Sequence, residues 1–348
     1  MDHQSELEKS KYRNWVRGGL AYKYLKDGLE GFADDVVLRE HKRILQAINP
    51  TPGLTCNQSN LRNLKPLHKS VKDPTGKSRC PWRQNNCNCM HSKKQECPNK
   101  VCDAILEEIL KSHGSTPPAP NWKNTVAQNW CSSPWEVAKC FINAPGYSDK
   151  SSAADIDAPG LLHLFINNTS LHAYISCAIT GTDIFSKAVK IRNDIFHSPK
   201  MELEKPELNE CIDNNVQVLE DDKELKERPE AKQAVAKLKQ LKQDNFIITT
   251  YNEAEVCRAA MTSITNRSEE LKQVIQDAKS DIKLKEGKIS KGINEQTQRA
   301  IDESLEKLEK HSESMLETMK QTIKLLKERV RQLELDSSEI KQRLTEQK

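Results

Sequence analysis

No apolar run in this sequence approaches the ~20 residues needed to cross a bilayer. The longest compact one is Leu161-Leu162-His163-Leu164-Phe165-Ile166. The opening residues, Met1 to Lys11, are charged and lack the apolar stretch of a signal peptide. The expectation is an intracellular protein, cytoplasmic or nuclear and without a membrane segment. Its eleven cysteines should then be reduced. On that reading the Asn-x-Ser/Thr triplets at Asn167, Asn168 and Asn266 are chance matches. Aromatic residues are scarce, at 5%, and unevenly placed. All five Trp precede residue 136, and only Phe246 represents Phe beyond residue 200. Large aromatic side chains supply much of a core's buried area, so the globular part is expected in the first two hundred residues. Period-two patterning is also missing: no alternating stretch exceeds Asn245–Tyr251. The expected class is therefore all-α.

What the sequence does have is charge, at 30% of its 348 residues, with a net value of +4. The charge is distributed unequally. Residues 1–150 hold 23 Lys/Arg against 15 Asp/Glu, residues 151–250 hold 12 against 16, and residues 251–348 hold 19 against 19.

Helical spacing organises most of the chain. Tyr12, Trp15, Val16, Leu20, Tyr24 and Leu25 predict a first helix that runs to Gly28 and Gly31. Val36, Val37, Leu38, Ile44, Leu45 and Ile48 predict a second, stopped by Asn49-Pro50. Residues 49–101 lose all periodicity. A short helix is expected from about Cys102 to His113-Gly114, and Pro134 suits the first turn of another. Two more are expected at about 155–167 and 183–197, followed by a polar helical stretch from Pro206 to about Asp244.

Residues 255–348 are the most regular. Ile301, Leu305, Leu308, Ser312 and Met315 step by fours and threes. Leu316, Met319, Ile323, Leu326, Val330, Leu333, Ser337, Ile340 and Leu344 continue after a stutter. Mixed Glu and Lys flank this seam, which has the a/d form of a coiled coil. The seam calls either for a partner helix or for packing on the chain's own domain. Gly287 and Gly292 are expected to interrupt the helix before the strong segment.

Six of the eleven cysteines lie between 56 and 102: Cys56, Cys80, Cys87, Cys89, Cys97 and Cys102, with His68 and His91 among them. The segment is basic and has no hydrophobic pattern. Thiolates and imidazoles are preferred zinc ligands, and one ion can staple a loop that lacks a core. A structural zinc would draw its ligands from Cys80, Cys87 or Cys89, Cys97 and Cys102. The alternative is a basic loop with free thiols. Gly76-Lys77-Ser78 resembles the end of a phosphate-binding loop, but Val71 stands where its first glycine should be, so nucleotide binding is not expected.

The segment from Asp183 to Pro199 combines an apolar stripe (Ile184, Ala188, Ile191, Ile195) with a polar one (Ser186, Lys190, Asn193, His197). Pro199 places His197 in the last helical turn, where the helix's negative end favours the charged imidazole. Arg192 and His197 could serve metal-independent RNA cleavage. In that reading the His moves a proton and the Arg offsets phosphate charge. The same residues could equally cap carbonyls and pair with acids such as Asp194.

Arg192-Asn193-x3-His197, late in an all-α region, resembles the Arg-polar-x3-His signature of HEPN domains. Further strings widen the likeness: Tyr12 to Gly18, Leu29-Glu30-Gly31-Phe32, Trp135 to Phe141 and Ile191 to Ser198. Together these are similar to an uncharacterised animal family whose human member is known as a chromosome-X open-reading-frame protein. That family in turn resembles the HEPN domain of the DAZ-interacting zinc-finger ubiquitin ligase. The likeness covers roughly residues 11–225. The Cys-rich insert departs from a minimal HEPN bundle.

The resemblance implies a HEPN-like helical domain over 1–225, while composition and spacing give an insert at 49–101, a helical linker at 226–254 and a coiled coil at 255–348. It implies Arg192 and His197 as a catalytic pair supported by Asn193, two copies facing each other in a homodimer, and RNA as ligand. Many HEPN domains are non-catalytic, so two functions are open. One is a dimeric RNA endonuclease or RNA-binding module. The other is a scaffold that recruits protein partners through the bundle and the coiled coil.

Overall fold

The computed structural model describes residues 7, 9–48, 55–84, 87–289 and 295–346. The side chains of the seam residues Ile301, Leu305, Leu308, Ile340 and Leu344 lie outside this description, as does Gly292. Among the described residues the fold is all-α. Its helices are α1 (Ser10–Ile48), α2 (Cys102–Ser112), α3 (Pro134–Ala138), α4 (Ala158–Asn167), α5 (Ile184–Phe196), α6 (Lys205–Leu219), α7 (Pro229–Leu241), α8 (Thr250–Ile289) and α9 (Glu295–Glu346). A two-stranded antiparallel ribbon, β1 (Val71–Lys72) and β2 (Ser78–Arg79), pairs Val71 with Arg79. No helix among the described residues is long and apolar enough to cross a membrane.

The chain divides into two compact units, each discontinuous in sequence. One comprises Ala21–Arg192 and Asn209–Asp244. It holds most of α1, the Cys-rich insert, α2 to α4, and α7. Its core is aromatic and aliphatic: Phe32 stacks on Phe165 at 5.4 Å, and Phe165 meets Phe185 at 5.6 Å. Leu25, Leu29 and Val36 are fully buried. The two helices expected before residue 49 are one continuous helix. Gly28 does not end it, because its missing side chain admits a neighbour. A Cβ there would stand 2.7 Å from Leu219 and 2.9 Å from Ala234. Glycine's helix penalty of about 1 kcal/mol is offset by that close approach. Further along, Lys139 is fully buried, and its ammonium donates to Glu136 and to the carbonyls of Ser148 and Lys150.

The other unit comprises Met1–Leu20, Asn193–Leu208 and Asn245–Lys348. The helices α8 and α9 pair within the chain as an antiparallel hairpin. Glu253 meets Arg329 at 2.6 Å, whereas Lys279 meets Glu309 at 2.9 Å, so contacts move down α9 as they move up α8. Leu326 and Leu333, two residues of the predicted seam, are 0% and 1% exposed. Tyr12 donates to Glu253 at 2.6 Å, and the Trp15 indole donates to the Ile195 carbonyl at 2.9 Å. Gly287 lies inside α8 rather than interrupting it.

Candidate functional site

Among the described residues between 55 and 100 the buried side chains are Cys56, Ser59, Leu64, Pro66, Cys80, Cys87 and Cys97. Sulfur dominates that set. Burying so little hydrocarbon cannot offset the conformational entropy of ordering the segment, whereas a bound ion can.

The first cysteine group is built from three local devices. Cys80 follows β2 and opens the turn Cys80-Pro81-Trp82-Arg83. The Arg83 N–H closes that turn onto the Cys80 carbonyl at 3.0 Å, with Arg83 in the left-handed region at φ 58°. Cys87 and Cys89 flank Asn88 at the start of a single 3-10 turn, Asn88–Met90. The Asn88 amide anchors that turn by donating to the Leu64 carbonyl at 2.7 Å. His68 completes the group: its Nε2 lies 3.3 Å from Cys87 Sγ and 3.4 Å from Cys80 Sγ.

The other face of the ring is held by Glu107 on α2. Glu107 Oε1 is 2.5 Å from His68 Nδ1 and also accepts the His68 backbone N–H at 2.9 Å. A carboxylate on one ring nitrogen orients the other toward the sulfurs, the usual outer-shell arrangement for a metal-bound histidine.

Ligand atoms of His68, Cys80, Cys87 and Cys89 all lie within 4.8 Å of one another. A tetrahedral ion with sulfur bonds of about 2.3 Å separates its sulfurs by roughly 3.8 Å, so this group can hold a metal ion. The protonation pattern shows the same strain for donors. Burial alone would depress the His68 imidazole, but bonds to Cys87 and Glu107 raise it to about 10. Burial works against the Cys87 thiolate, yet the His68 bond and the Cys89 N–H lower it below the ordinary thiol value. Burial and the neighbouring Cys87 sulfur push Cys89 up. A divalent cation bound here would displace these protons and meet a neutral imidazole and thiolates.

Cys56, Cys97 and Cys102 form a second group, all buried, with their sulfurs within 4.8 Å of one another. The five cysteines read from the sequence as one ligand set therefore separate. Cys80, Cys87 and Cys89 join His68, while Cys97 and Cys102 join Cys56. His91 is exposed and belongs to neither group. Sequence spacing could not assign His68 or Cys56, since each reaches its group through the path of the whole insert. A usable local signal was the repeated Cys-Pro-x-basic string at Cys80 and Cys97.

The Arg–Asn–His element sits across the boundary of the two compact units, which falls between Arg192 and Asn193 within α5. Arg192 is 8% exposed, and its guanidinium meets Asp157 at 3.4 Å. Asp157 also caps α4 through the Gly160 N–H and accepts the Tyr147 hydroxyl at 2.6 Å. Asn193 is half-buried. His197 lies just past the end of α5; its backbone N–H donates to the Asn193 carbonyl, and its Nε2 lies 3.1 Å from Ser263 Oγ.

The fold and the cysteine groups define an all-α protein with a cysteine-rich insert capable of binding metal. Residues 62–347 match the family described as Domain of unknown function (DUF4559), and the chain belongs to that family. It is also 30% identical, over 199 residues, to the mouse protein printed as "Uncharacterized protein CXorf38 homolog". That match covers 57% of this chain, and the chain spans about half, 52%, of the relative's length. No solved structure matches.

Proposed function

We propose that this chain is a non-catalytic scaffold in which a zinc-organised basic insert and a helical hairpin offer binding surfaces on an all-α body. The observation that carries the reading is the position of Arg192. A guanidinium that grips a scissile phosphate must reach solvent-borne substrate, and this one is buried against the Asp157 carboxylate. On the HEPN resemblance, Arg192, Asn193 and His197 would be the catalytic set. The burial of Arg192 favours instead a role in holding α5 to the start of α4.

Zinc is the ion that suits the His68 group, because one nitrogen and three sulfurs make up a common structural ligand set. Its part would be to order the insert rather than to react. Leu326 and Leu333 are already buried within the chain.

The test is incubation of the full chain with single-stranded RNA in buffer without added divalent ions, beside Arg192→Ala and His197→Ala. The expected result is no turnover by any of the three. RNA cleavage by the wild type that both substitutions abolish would overturn the scaffold reading and restore the endonuclease.

A further inference from the structure

Among the described residues, potential metal ligands gather in two groups, and the zinc proposed above takes one of them. The other, Cys56, Cys97 and Cys102, consists of three free, buried thiols with their sulfurs within 4.8 Å of one another. A polar side chain is buried beside them. The Ser59 hydroxyl lies 3.2 Å from Cys56 Sγ, and Ser59 is 5% exposed. We propose that Cys56, Cys97 and Cys102 bind a second zinc ion as thiolates, and that the Ser59 hydroxyl stands at its fourth corner.

Three features carry the assignment. The first is the spacing of donors. Around a tetrahedral zinc, sulfur and oxygen ligands stand roughly 3.5 Å apart, and the Ser59–Cys56 separation is near that value. Cys56-Asn57-Gln58-Ser59 has the gap of a Cys-x2-Cys zinc pair, with oxygen in place of the second sulfur. Buried cysteine alone is only a small apolar side chain. A hydroxyl buried among apolar groups costs free energy, whereas beside a thiolate or a cation it has a partner.

The second feature is a repeated device. Cys97-Pro98-Asn99-Lys100 forms the same turn as Cys80-Pro81-Trp82-Arg83. The Lys100 N–H closes onto the Cys97 carbonyl at 2.9 Å with Lys100 at φ 54°, matching 3.0 Å and 58° at Arg83. A side-chain-bearing residue in the left-handed region is costly, and this chain accepts that cost twice, each time three residues after a clustered cysteine. Each turn is followed by an asparagine tie of the same kind or contains one. The Asn99 amide donates to the Thr55 carbonyl at 2.5 Å, which holds the Cys97 turn against the residue preceding Cys56. The Asn88 amide does the same for the His68 group at Leu64.

The third is the placement of the ligands. Cys56 and Ser59 lie near the start of the insert, Cys97 near its end and Cys102 in the first turn of α2. An ion on these residues would close the two ends of a segment with little apolar core onto each other and onto a packed helix. Binding releases one proton from each thiol to solvent. Three soft thiolates suit zinc or cuprous copper, and the oxygen corner favours zinc, which accepts oxygen donors as well.

This inference does not depend on the scaffold reading, since metal content and RNA turnover are separate readouts. The experiment is quantification of zinc, copper and iron by plasma mass spectrometry on the full chain purified in reducing buffer. Wild type should carry two zinc ions per chain. The double variant Cys56→Ala, Cys97→Ala should carry one, as should Cys87→Ala, Cys89→Ala, and the two pairs combined should carry none. A wild type with one zinc, lost in Cys56→Ala, Cys97→Ala, would support this site and remove the one at His68. Zinc content equal to wild type in Cys56→Ala, Cys97→Ala would overturn the site, as would copper or iron in its place.

Should a cysteine variant fail to fold, two variants at Ser59 decide. Ser59→Ala should release one ion to a chelator more readily than wild type. Ser59→Cys adds a fourth sulfur, so the cobalt-loaded protein should gain sulfur-to-metal charge-transfer absorption and hold that ion more tightly. A cobalt spectrum and a release rate unchanged in both variants would overturn the proposal.

Discussion

Residues 55–100 bury four cysteines and almost no hydrocarbon, whereas the α8–α9 hairpin buries a graded series of aliphatic side chains and surrounds them with ion pairs. The two regions differ in what they bury. If the insert holds zinc as proposed, its ordering is concentrated in the sulfur and nitrogen atoms of the ligand groups. In the hairpin it is spread along two helices, where each contact is small and replaceable. The insert should therefore fail all at once when one chemical condition is removed, and the hairpin should fail by degrees.

The largest expected effect follows from that contrast. Stripping metal with excess chelator should remove stabilisation on the order of 10 kcal/mol from the insert, as for other coreless zinc segments, and leave the hairpin paired. Hydrogen exchange resolved by peptide checks this: protection should vanish across 55–100 while peptides from 250–289 and 310–338 keep theirs. Uniform loss in both regions would break the comparison.

The hairpin should respond to single side chains instead. Leu326→Ala removes a fully buried leucine and should cost about 2–5 kcal/mol. Its neighbour Leu325, 56% exposed, should cost no more than about 0.5 kcal/mol on the same change. Urea denaturation followed by helical ellipticity separates the two. Equal effects would mean that the seam is not packed on α8.

The same pair of residues shows what could be read in advance. The period-3.5 pattern predicted Leu326 and Leu333 as seam residues, because burial along a helix is periodic in sequence. The helix at Cys102 was legible in the apolar spacing of Ile105, Leu106, Ile109 and Leu110, and the start at Pro134 because proline acts locally. Gly28 was misread as a helix end. A glycine that terminates a helix and one that admits a crossing helix have the same local signature, and only Leu219 and Ala234 distinguish them. The cysteine site was half legible. Cys80, Cys87 and Cys89 are near neighbours, but His68 is brought in by Glu107, which lies on a helix outside the insert. A partner that far along the chain leaves no trace in spacing.

That same Glu107 offers a finer cut within the insert. Glu107→Gln keeps the shape but weakens the acceptor on His68 Nδ1, and loss of such an outer-shell partner typically lowers metal affinity by about 10–100-fold. Competition with a coloured chelator should show one ion released that much more readily. Any ion on Cys56, Cys97 and Cys102, a group outside the Glu107–His68 contact, should be released as in the wild type. Loosening of both ions together would mean that the two groups are a single cooperative unit.

The smallest effect belongs to the hairpin's surface. Arg258 and Glu334 pair at 2.7 Å across α8 and α9, but their side chains are 46% and 59% exposed. Solvent screens the attraction, and two long side chains must be immobilised to make it, so exposed pairs contribute about 0.2–1 kcal/mol. A double-mutant cycle on Arg258→Ala and Glu334→Ala should return a coupling in that range, and it should shrink as salt rises past the point where the screening length is about 8 Å. The buried counterpart lies five residues away on each of the same helices. Arg329 meets Glu253, which is fully buried, so Arg329→Ala would leave a carboxylate without its cation and cost several times more. A coupling at Arg258 as large as that at Arg329, and insensitive to salt, would show that the hairpin also concentrates its stability in a few polar contacts. The contrast with the insert would then be one of chemistry rather than of distribution.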